Sequence, residues 1–338
     1  MKLLIVGGTG VISREIVRQA LLKGFDVTIV NRGSKKCEIP EGVKVVIADR
    51  NQEEDFAGKI SQLEFDTVID MACFNAELAK QTVDVFGDKA KQIIVTSSIA
   101  AYERPYKSYP IREEYENLDT AGEFSYGYNK AELERYLQAQ MGKVKAAITI
   151  IRPSLTFGPG AANFGILRQN RNVVRRIREG KPVVMIGEGV IPWNFTFVQD
   201  LAQGFVLSCG NENTYNDWFH VTNTEIVMWE DLYRAVGKAV GKEPKFIYVP
   251  TALLREMLPS VCEHLNFEKV HFSIFCVDKF KKAAPEYEPT VKLVDGVKEL
   301  VDWWEATEFP YDDERDALED KICEAYENFR GQLLSFTK

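Results

Sequence analysis

The feature that constrains this chain most is a repeated pairing of a short β-branched run with a helical pattern through its first half. Leu3 to Val6 precedes a helical stretch at 11–23, Val27 to Val30 follows, and Val43 to Ile47 precedes another at 51–62. Thr67 to Ala72 leads into 76–86, Gln92 to Ser97 into Tyr126 to Met141, and Ala146 to Ile151 closes the series. Such runs fit strands buried on both faces, and parallel strands need crossover helices. The pattern therefore specifies an α/β fold with a doubly wound parallel sheet over about the first 155 residues.

Composition narrows what such a fold can serve. The 338 residues carry 42 basic and 50 acidic side chains, a formal charge of -8, which works against a partner bound chiefly through nucleic-acid phosphates or an acidic membrane surface. At 45% hydrophobic and 27% charged, usage is that of a folded globular protein. No run of about 20 apolar residues is present to span a membrane, so no membrane partner is expected. The opening MKLLIVGGTG is broken by glycines and lacks the grammar of a signal peptide, so a cytoplasmic location is expected. Six scattered cysteines without a CxxC pair, and only His220, His264 and His271, give no zinc pattern. No metal is expected, and the cysteines read as buried small hydrophobes in a reducing compartment.

Gly7, Gly8 and Gly10 fall directly between the first strand and the first helix. Glycine allows the tight turn and lets backbone N–H groups and the helix N-terminus approach a pyrophosphate. The turn is thus read as the phosphate cradle of a Rossmann domain that binds NAD(P), with Gly7, Thr9, Gly10, Val11 and Ile12 as contacts. Ser13 stands at the third glycine position, which predicts slightly looser packing of helix on strand. At the end of strand two, TIVNRGSKK offers Asn31 rather than a carboxylate, and Arg32 can fork onto a phosphate, which favours NADP. NAD, with Arg32 a solvated loop residue, is the alternative. Asp49 after strand three is placed to accept from the adenine amino group or to cap a helix. Arg50, Met71 and Ala72 join this set of candidate cofactor contacts, as do Tyr126 and Lys130 further along the chain.

Tyr126-Gly-Tyr-Asn-Lys130 opens a helix, and a spacing of four puts Tyr126 and Lys130 on one face. An ammonium beside a phenol lowers its pKa, which makes a tyrosine usable as a general acid/base. Strand five ends in TSSIAAY at the sheet edge where α/β proteins gather ligands. Ser98 there is the candidate hydrogen-bond partner of a substrate oxygen, with Ser97 its competitor. Strand six ends in Arg152-Pro153, a rigid turn expected to wall the nicotinamide, with Pro153 as the contact.

The ordered segments GGTG, SSIAAY, YGYNK, RPSLTFGPG and WNFTFVQDLAQGF resemble the extended short-chain dehydrogenase/reductase family, the NAD(P)-dependent sugar epimerases, dehydratases and reductases. FHVTN and MWEDLYRAVGKAVG extend the likeness to about residue 240. The resemblance implies Ser98, Tyr126 and Lys130 as catalytic residues. It further implies an epimerase-type oxidoreductase that moves a hydride reversibly at a carbinol carbon of a nucleotide sugar or related small molecule. An NADPH-dependent carbonyl reductase is the alternative. NRG and ADR resemble the branch related to chloroplast stem-loop RNA-binding proteins, which keeps RNA binding open as a reading of another class. A homodimer is an open possibility for assembly.

Several positions depart from the family. Ile99 and Ala100 replace the Asp-Glu pair that performs elimination in 4,6-dehydratases, which speaks against that reaction. Trp193 stands where nucleotide-sugar epimerases commonly place a diphosphate-binding arginine, so another cation is required, with Arg168, Arg171, Arg175 and Arg176 nearby. A solvated helix face explains that run equally. Asp70 and Cys73 stand where His and Ala are usual. Candidate substrate residues are Ser98, Asn163, Arg168 and Trp193.

A basic helix is expected around Phe164 to Glu179, a strand at Val183 to Ile186, and acidic helices packed through Trp303 and Trp304 in the tail. Strand-like segments at Asn194 to Val198, Asp217 to Val221 and Val270 to Cys276 imply returns to the parallel sheet. The smaller α/β substrate-binding domain is then interleaved, comprising about 161–193, 225–262 and 281–338, against a cofactor domain of 1–160, 194–224 and 263–280. Its pieces are expected over the sheet's C-terminal edge, forming a substrate cleft there. With much of the acid charge beyond Asp302, the stretch at 168–178 reads as a basic wall for an anionic small molecule.

Overall fold

A computed structural model describes residues 1–34, 38–162, 164–257 and 263–336. The chain begins β1 (Lys2–Val6), α1 (Val11–Leu22), β2 (Asp26–Asn31), β3 (Lys44–Ile47), α2 (Glu53–Ser61) and β4 (Thr67–Asp70). It continues α3 (Ala76–Phe86), β5 (Gln92–Thr96), α4 (Ser125–Gln140), β6 (Ala147–Pro153) and the two-residue β7 (Thr156–Phe157). Next come α5 (Asn172–Glu179), β8 (Pro182–Ile186), β9 (Pro192–Trp193), β10 (Thr196–Phe197), α6 (Val198–Ser208) and β11 (Asp217–Val221). The remainder is β12 (Val227–Met228), α7 (Trp229–Val240), β13 (Lys245–Val249), α8 (Thr251–Met257), α9 (Asp278–Ala283), α10 (Leu293–Ala306) and α11 (Asp313–Ser335).

These elements divide between two compact units, the first being 1–156, 198–224 and 275–290. Its sheet has seven strands in the order β11-β6-β5-β4-β1-β2-β3, with every neighbouring pair parallel. The chain order reverses between β1 and β4, the switch point at which such sheets open a crevice beyond their carboxyl ends. Because side chains alternate along a strand, Leu3 and Ile5 meet Ile16 of α1 and Phe205 of α6, while Leu4 and Val6 meet Phe56, Val83 and Leu133 on the other face. Each such buried aliphatic side chain contributes about 1.5–3 kcal/mol, which is why runs apolar on both faces settle here.

The second unit is 157–197, 225–274 and 291–338. β8 and β13 pair in parallel there, and Trp304 of α10 is fully buried with its indole N–H donated to the Ala161 carbonyl at 3.1 Å. The basic helix is shorter than its sequence pattern. Gly165 at φ 63° and Arg168 at φ 55° are left-handed, which an α-helix does not tolerate, so only Asn172–Glu179 is helical.

Two expected returns to the main sheet do not occur. Asn194 to Val198 yields only β10, paired with β7 outside that sheet, because α6 starts at Val198. Val270 to Cys276 makes single bridges, Trp193 with Ser273 and Ile111 with Phe275, after a wide helical turn at Leu265–Lys269. The division also differs from the expected one: 263–274 lie in the second unit and 281–290 in the first. Phe280, Ala284 and Tyr287 fill the first unit's core beside Phe219, and the Tyr287 hydroxyl donates to the Thr222 carbonyl at 3.0 Å.

Candidate active site

The glycine turn takes its shape from three small residues. Gly7 sits at φ 85°, where a side chain is strained, and Gly10 caps α1 from an extended conformation. Ser13, in place of a third glycine, is buried. Its hydroxyl donates to the Gly7 carbonyl at 2.7 Å and accepts from the Gly10 N–H at 2.8 Å, so it knots the loop. No acidic residue occupies the first turn of α1. The first-turn N–H groups at the half-buried Val11 and Ile12 have no partner within the helix, and they and the helix dipole therefore remain available to an anion.

A cavity of about 420 Å³ opens beside this turn, within the range of small-molecule sites. Gly7, Thr9 and Gly10 line it from the turn, Asn31 and Arg32 from the end of β2, Asp49 and Arg50 from beyond β3, and Met71 and Ala72 from beyond β4. These residues fit a dinucleotide: a helix N-terminus for phosphates, apolar walls for a base, and polar side chains at the rim. Arg32 is exposed and makes no hydrogen bond or ion pair among the described residues. Asp49 accepts from the Asn51 N–H at 3.0 Å in a turn, while Gln52 rather than Asp49 caps α2.

Arg50 lines the cavity with its hydrogen-bond donors already taken. Its guanidinium is engaged on all sides: Nε donates to Gln81 at 2.9 Å, Nη1 to the Asp70 carboxylate at 3.1 and 3.2 Å and the Ala72 carbonyl at 2.9 Å, and Nη2 to the Leu78 carbonyl and Thr82. It shapes the cavity wall and has no donor left for a ligand. The pairing also accounts for Asp70, whose carboxylate is fully buried. Phe74, Ser34 and Asn51 line the same cavity and were missed. Phe74 had one signal: a large aromatic just past a strand end, where nothing in the core claims it, and it is 55% exposed.

Tyr126 and Lys130 lie in the first turns of α4. Gly127 between them brings the helix close to the chain after Ser98, since a Cβ there would stand 2.5 Å from the Ala100 carbonyl oxygen. Lys130 is buried, and its ammonium donates to the carbonyls of Cys73 at 2.7 Å and Thr96 at 2.8 Å. Burial pushes it down to about 8, against the pull of Asp70 and Glu134. The Tyr126 ring is 37% exposed, and Phe124 lies beside it with ring centroids 5.8 Å apart. Ser98 starts a short 3-10 turn and accepts from the Ala100 N–H at 3.1 Å. Its competitor Ser97 is engaged elsewhere, donating to Glu134 at 2.5 Å in the core. Cys73 is fully buried, and burial pushes its thiol well up, so it stays protonated.

Pro153 is buried at the end of β6, in register with Val221, and does not line the cavity described above. Arg152 does not act as a wall: its side chain turns inward, 2% exposed, onto Glu134 and Tyr102. Within the second unit, Trp193 is likewise buried, in a cluster with Phe195 and Trp229. It presents an apolar face where a cation was sought.

The basic wall is overturned. Arg171 and Arg178 pair with Glu305, Arg175 with Asp313 and Asp316, and the fully buried Arg176 with Asp316, Glu319 and Asp320. Five of the tail's acids, Glu305, Asp313, Asp316, Glu319 and Asp320, are bound to these arginines. Arg168 alone of the run has no ion pair among the described residues. Asn163 lies outside the described residues. Cys276 and Cys323 are buried and Cys209 is half-buried, whereas Cys37 and Cys262 also lie outside the described set. No cluster of metal-binding side chains occurs among the described residues, and no helix there is long and apolar enough to cross a membrane.

Comparison with known proteins agrees with this architecture. The chain is similar to a 2'-dehydrokanamycin reductase of Streptomyces kanamyceticus, 23% identical over 85% of this chain and 80% of the relative. It is also similar to the chloroplast stem-loop binding protein of 41 kDa b of Arabidopsis thaliana, 26% identical over 73% of this chain but only 65% of that protein, just under two thirds of its length. The fold matches that of UDP-glucose 4-epimerase with UDP-glucose from Thermotoga maritima, at TM-score 0.71 and 19% identity over 91% of this chain and 99% of that one. The model of the NAD dependent epimerase/dehydratase family matches residues 3–85 and 74–218, most of the chain, with the glycine turn and the helix of Tyr126 and Lys130 inside the match. With its glycine turn, parallel sheet and YxxxK helix in their expected order, the protein is an enzyme of the NAD-dependent epimerase/dehydratase family.

Proposed function

We propose that the protein is an oxidoreductase that interconverts a carbinol and a carbonyl on a small molecule, with Tyr126 as general acid/base. The observation that carries this reading is the seating of Lys130 one helical turn from Tyr126, its ammonium fixed by two carbonyls at 2.7 and 2.8 Å. Two of three donors are then occupied, and the ammonium keeps its charge at neutral pH beside a phenol that is open to solvent. Tyr126 takes the hydroxyl proton in the oxidising direction and returns it in the reducing one. Ser98 donates a hydrogen bond to the same substrate oxygen and orients it. The dinucleotide, held by the turn at Gly7 to Ile12, accepts or supplies the hydride when bound.

Of the two forms this chemistry takes, the reductase has the better support. Arg171, Arg175, Arg176 and Arg178 are already paired with carboxylates and Trp193 is apolar, which leaves little to hold a sugar nucleotide's diphosphate. Among the described residues Arg32 makes no hydrogen bond or ion pair, which leaves its guanidinium free to pair with the extra phosphate of NADP. The likeness to a reductase over most of both chains points the same way. A nucleotide-sugar epimerase is the second reading, favoured by the fold's match to an epimerase that binds UDP-glucose. The paired arginines count against RNA binding, because they offer no basic face for phosphates.

The test offers carbonyl compounds, keto-sugars among them, with NADPH and NADH side by side, and UDP-sugars with neither added. Stoichiometric consumption of NADPH selects the reductase, and redox-neutral interconversion selects the epimerase. Tyr126→Phe is expected to leave dinucleotide binding nearly intact and lower turnover by several orders of magnitude. Turnover within about tenfold of the parent removes Tyr126 from this role.

A further inference from the structure

Helix α4 carries Tyr126, Lys130 and Glu134 at intervals of four, one above another on a single face. None of the three lines the cavity described above, and the third has no part in the proposed acid–base chemistry. Glu134 is fully buried and accepts the Ser97 hydroxyl at 2.5 Å. It also accepts Arg152 Nε at 2.9 and 3.0 Å to its two oxygens and Arg152 Nη2 at closer range. Arg152 in turn donates through Nη1 to the Tyr102 hydroxyl at 2.7 Å, and that hydroxyl meets His220 Nε2 at 2.5 Å.

Three successive turns of α4 thus touch one short segment of chain. Gly127 packs on the Ala100 carbonyl, Lys130 donates to the Thr96 carbonyl, and Glu134 holds the Ser97 side chain. That segment carries Ser98. A buried ion pair is a weak source of stability compared with apolar side chains of the same volume, and its use is often to specify one geometry among several. Bidentate guanidinium–carboxylate contacts are directional, so they suit that purpose.

We infer that Glu134 is a positioning residue: clamped by Ser97 and Arg152, its carboxylate fixes the register of α4 against the end of β5 and so sets Tyr126 and Lys130 relative to Ser98. The inference rests on the acid–base reading of Tyr126. It assigns Glu134 no contact with substrate or dinucleotide, only an effect exerted through the helix.

Ser97→Ala and Glu134→Asp test it, because both leave the charges of Lys130, Glu134, Arg152, Asp70 and Arg50 in place. The readout is the titration of Tyr126 by phenolate absorbance, each protein measured against the same protein carrying Tyr126→Phe, with Tm recorded alongside. In the parent, Tyr126 should titrate below the ordinary tyrosine value. In both variants its midpoint should rise towards that value by about half a unit or more, roughly a threefold change in acid constant. A depressed parent midpoint that neither variant moves, even with a lowered Tm, overturns the positioning role alone. A parent Tyr126 that titrates near the ordinary value of about 10 overturns the acid–base reading and this inference with it. If Glu134→Asp does not fold, Ser97→Ala decides by the same measurement.

Discussion

A single buried ammonium gives the most direct handle on the chemistry. Burial holds Lys130 down to about 8, whereas in the unfolded chain it titrates near 10.4. On the proposed acid–base role of Tyr126, the ammonium is charged below about 8 and would support the phenolate, and above it the support would be lost, so turnover should fall as pH rises through that value. The stability effect has the opposite direction. Between the two pKa values the unfolded chain holds the extra proton, so this group's contribution makes the fold more stable as pH rises through that window. Turnover followed against pH checks the first statement, and a profile flat to about pH 10 removes the ammonium from the mechanism.

At the level of elements, the approach of α4 to the end of β5 depends on Gly127. A Cβ there would meet the Ala100 carbonyl oxygen at 2.5 Å and the Phe124 ring at 2.9 Å, and a backbone oxygen does not swing aside as a side-chain tip does. Gly127→Ala gains about 1 kcal/mol in helix propensity but meets an overpacking cost of about 1–3 kcal/mol, so a net loss of stability is expected. Turnover should fall further than stability does, since the displaced turn carries Tyr126. Urea unfolding and turnover measured together check this, and a variant as stable and active as the parent refutes the close approach. The elements themselves were legible because β-branched runs and helical periods are local signals, as were the glycine turn and the Tyr126/Lys130 spacing. What eluded the sequence are pairings across distance. Arg176 meets Asp316 across 140 positions, Arg50 meets Asp70, and Arg152 meets Glu134. Nothing in a row of arginines announces that a distant acidic helix already neutralises it. The left-handed Arg168 was equally hidden, because only glycine advertises that conformation.

Across the whole molecule, connectivity is the property that matters most. The first unit recruits 275–290 after the chain has built most of the second, and Phe280 fills its core against Phe219 and Tyr287, at ring-centroid distances of 5.5 and 5.0 Å. Phe280→Ala should therefore destabilise the unit that holds the dinucleotide cavity, by about 3–5 kcal/mol. Denaturant unfolding monitored by dinucleotide binding reads that loss. An unchanged midpoint would mean that the late segment is dispensable to the sheet. The formal charge of -8 also takes on a different meaning, since a good part of the tail's acid is bound to arginines rather than displayed.

The late segment has a consequence for how the protein is made. A ribosome releases the N-terminal end first, and domains generally fold as units while synthesis proceeds. Here the glycine turn and six of the seven sheet strands emerge early, but their core lacks Phe280 and Tyr287 until residue 290 has been made. From the completion of β11 at Val221 until about residue 290, the nascent chain must carry a full set of sheet strands with apolar surface beside β11 still uncovered. Chaperone dependence during synthesis, rather than fragility of the finished enzyme, is where that arrangement should be felt.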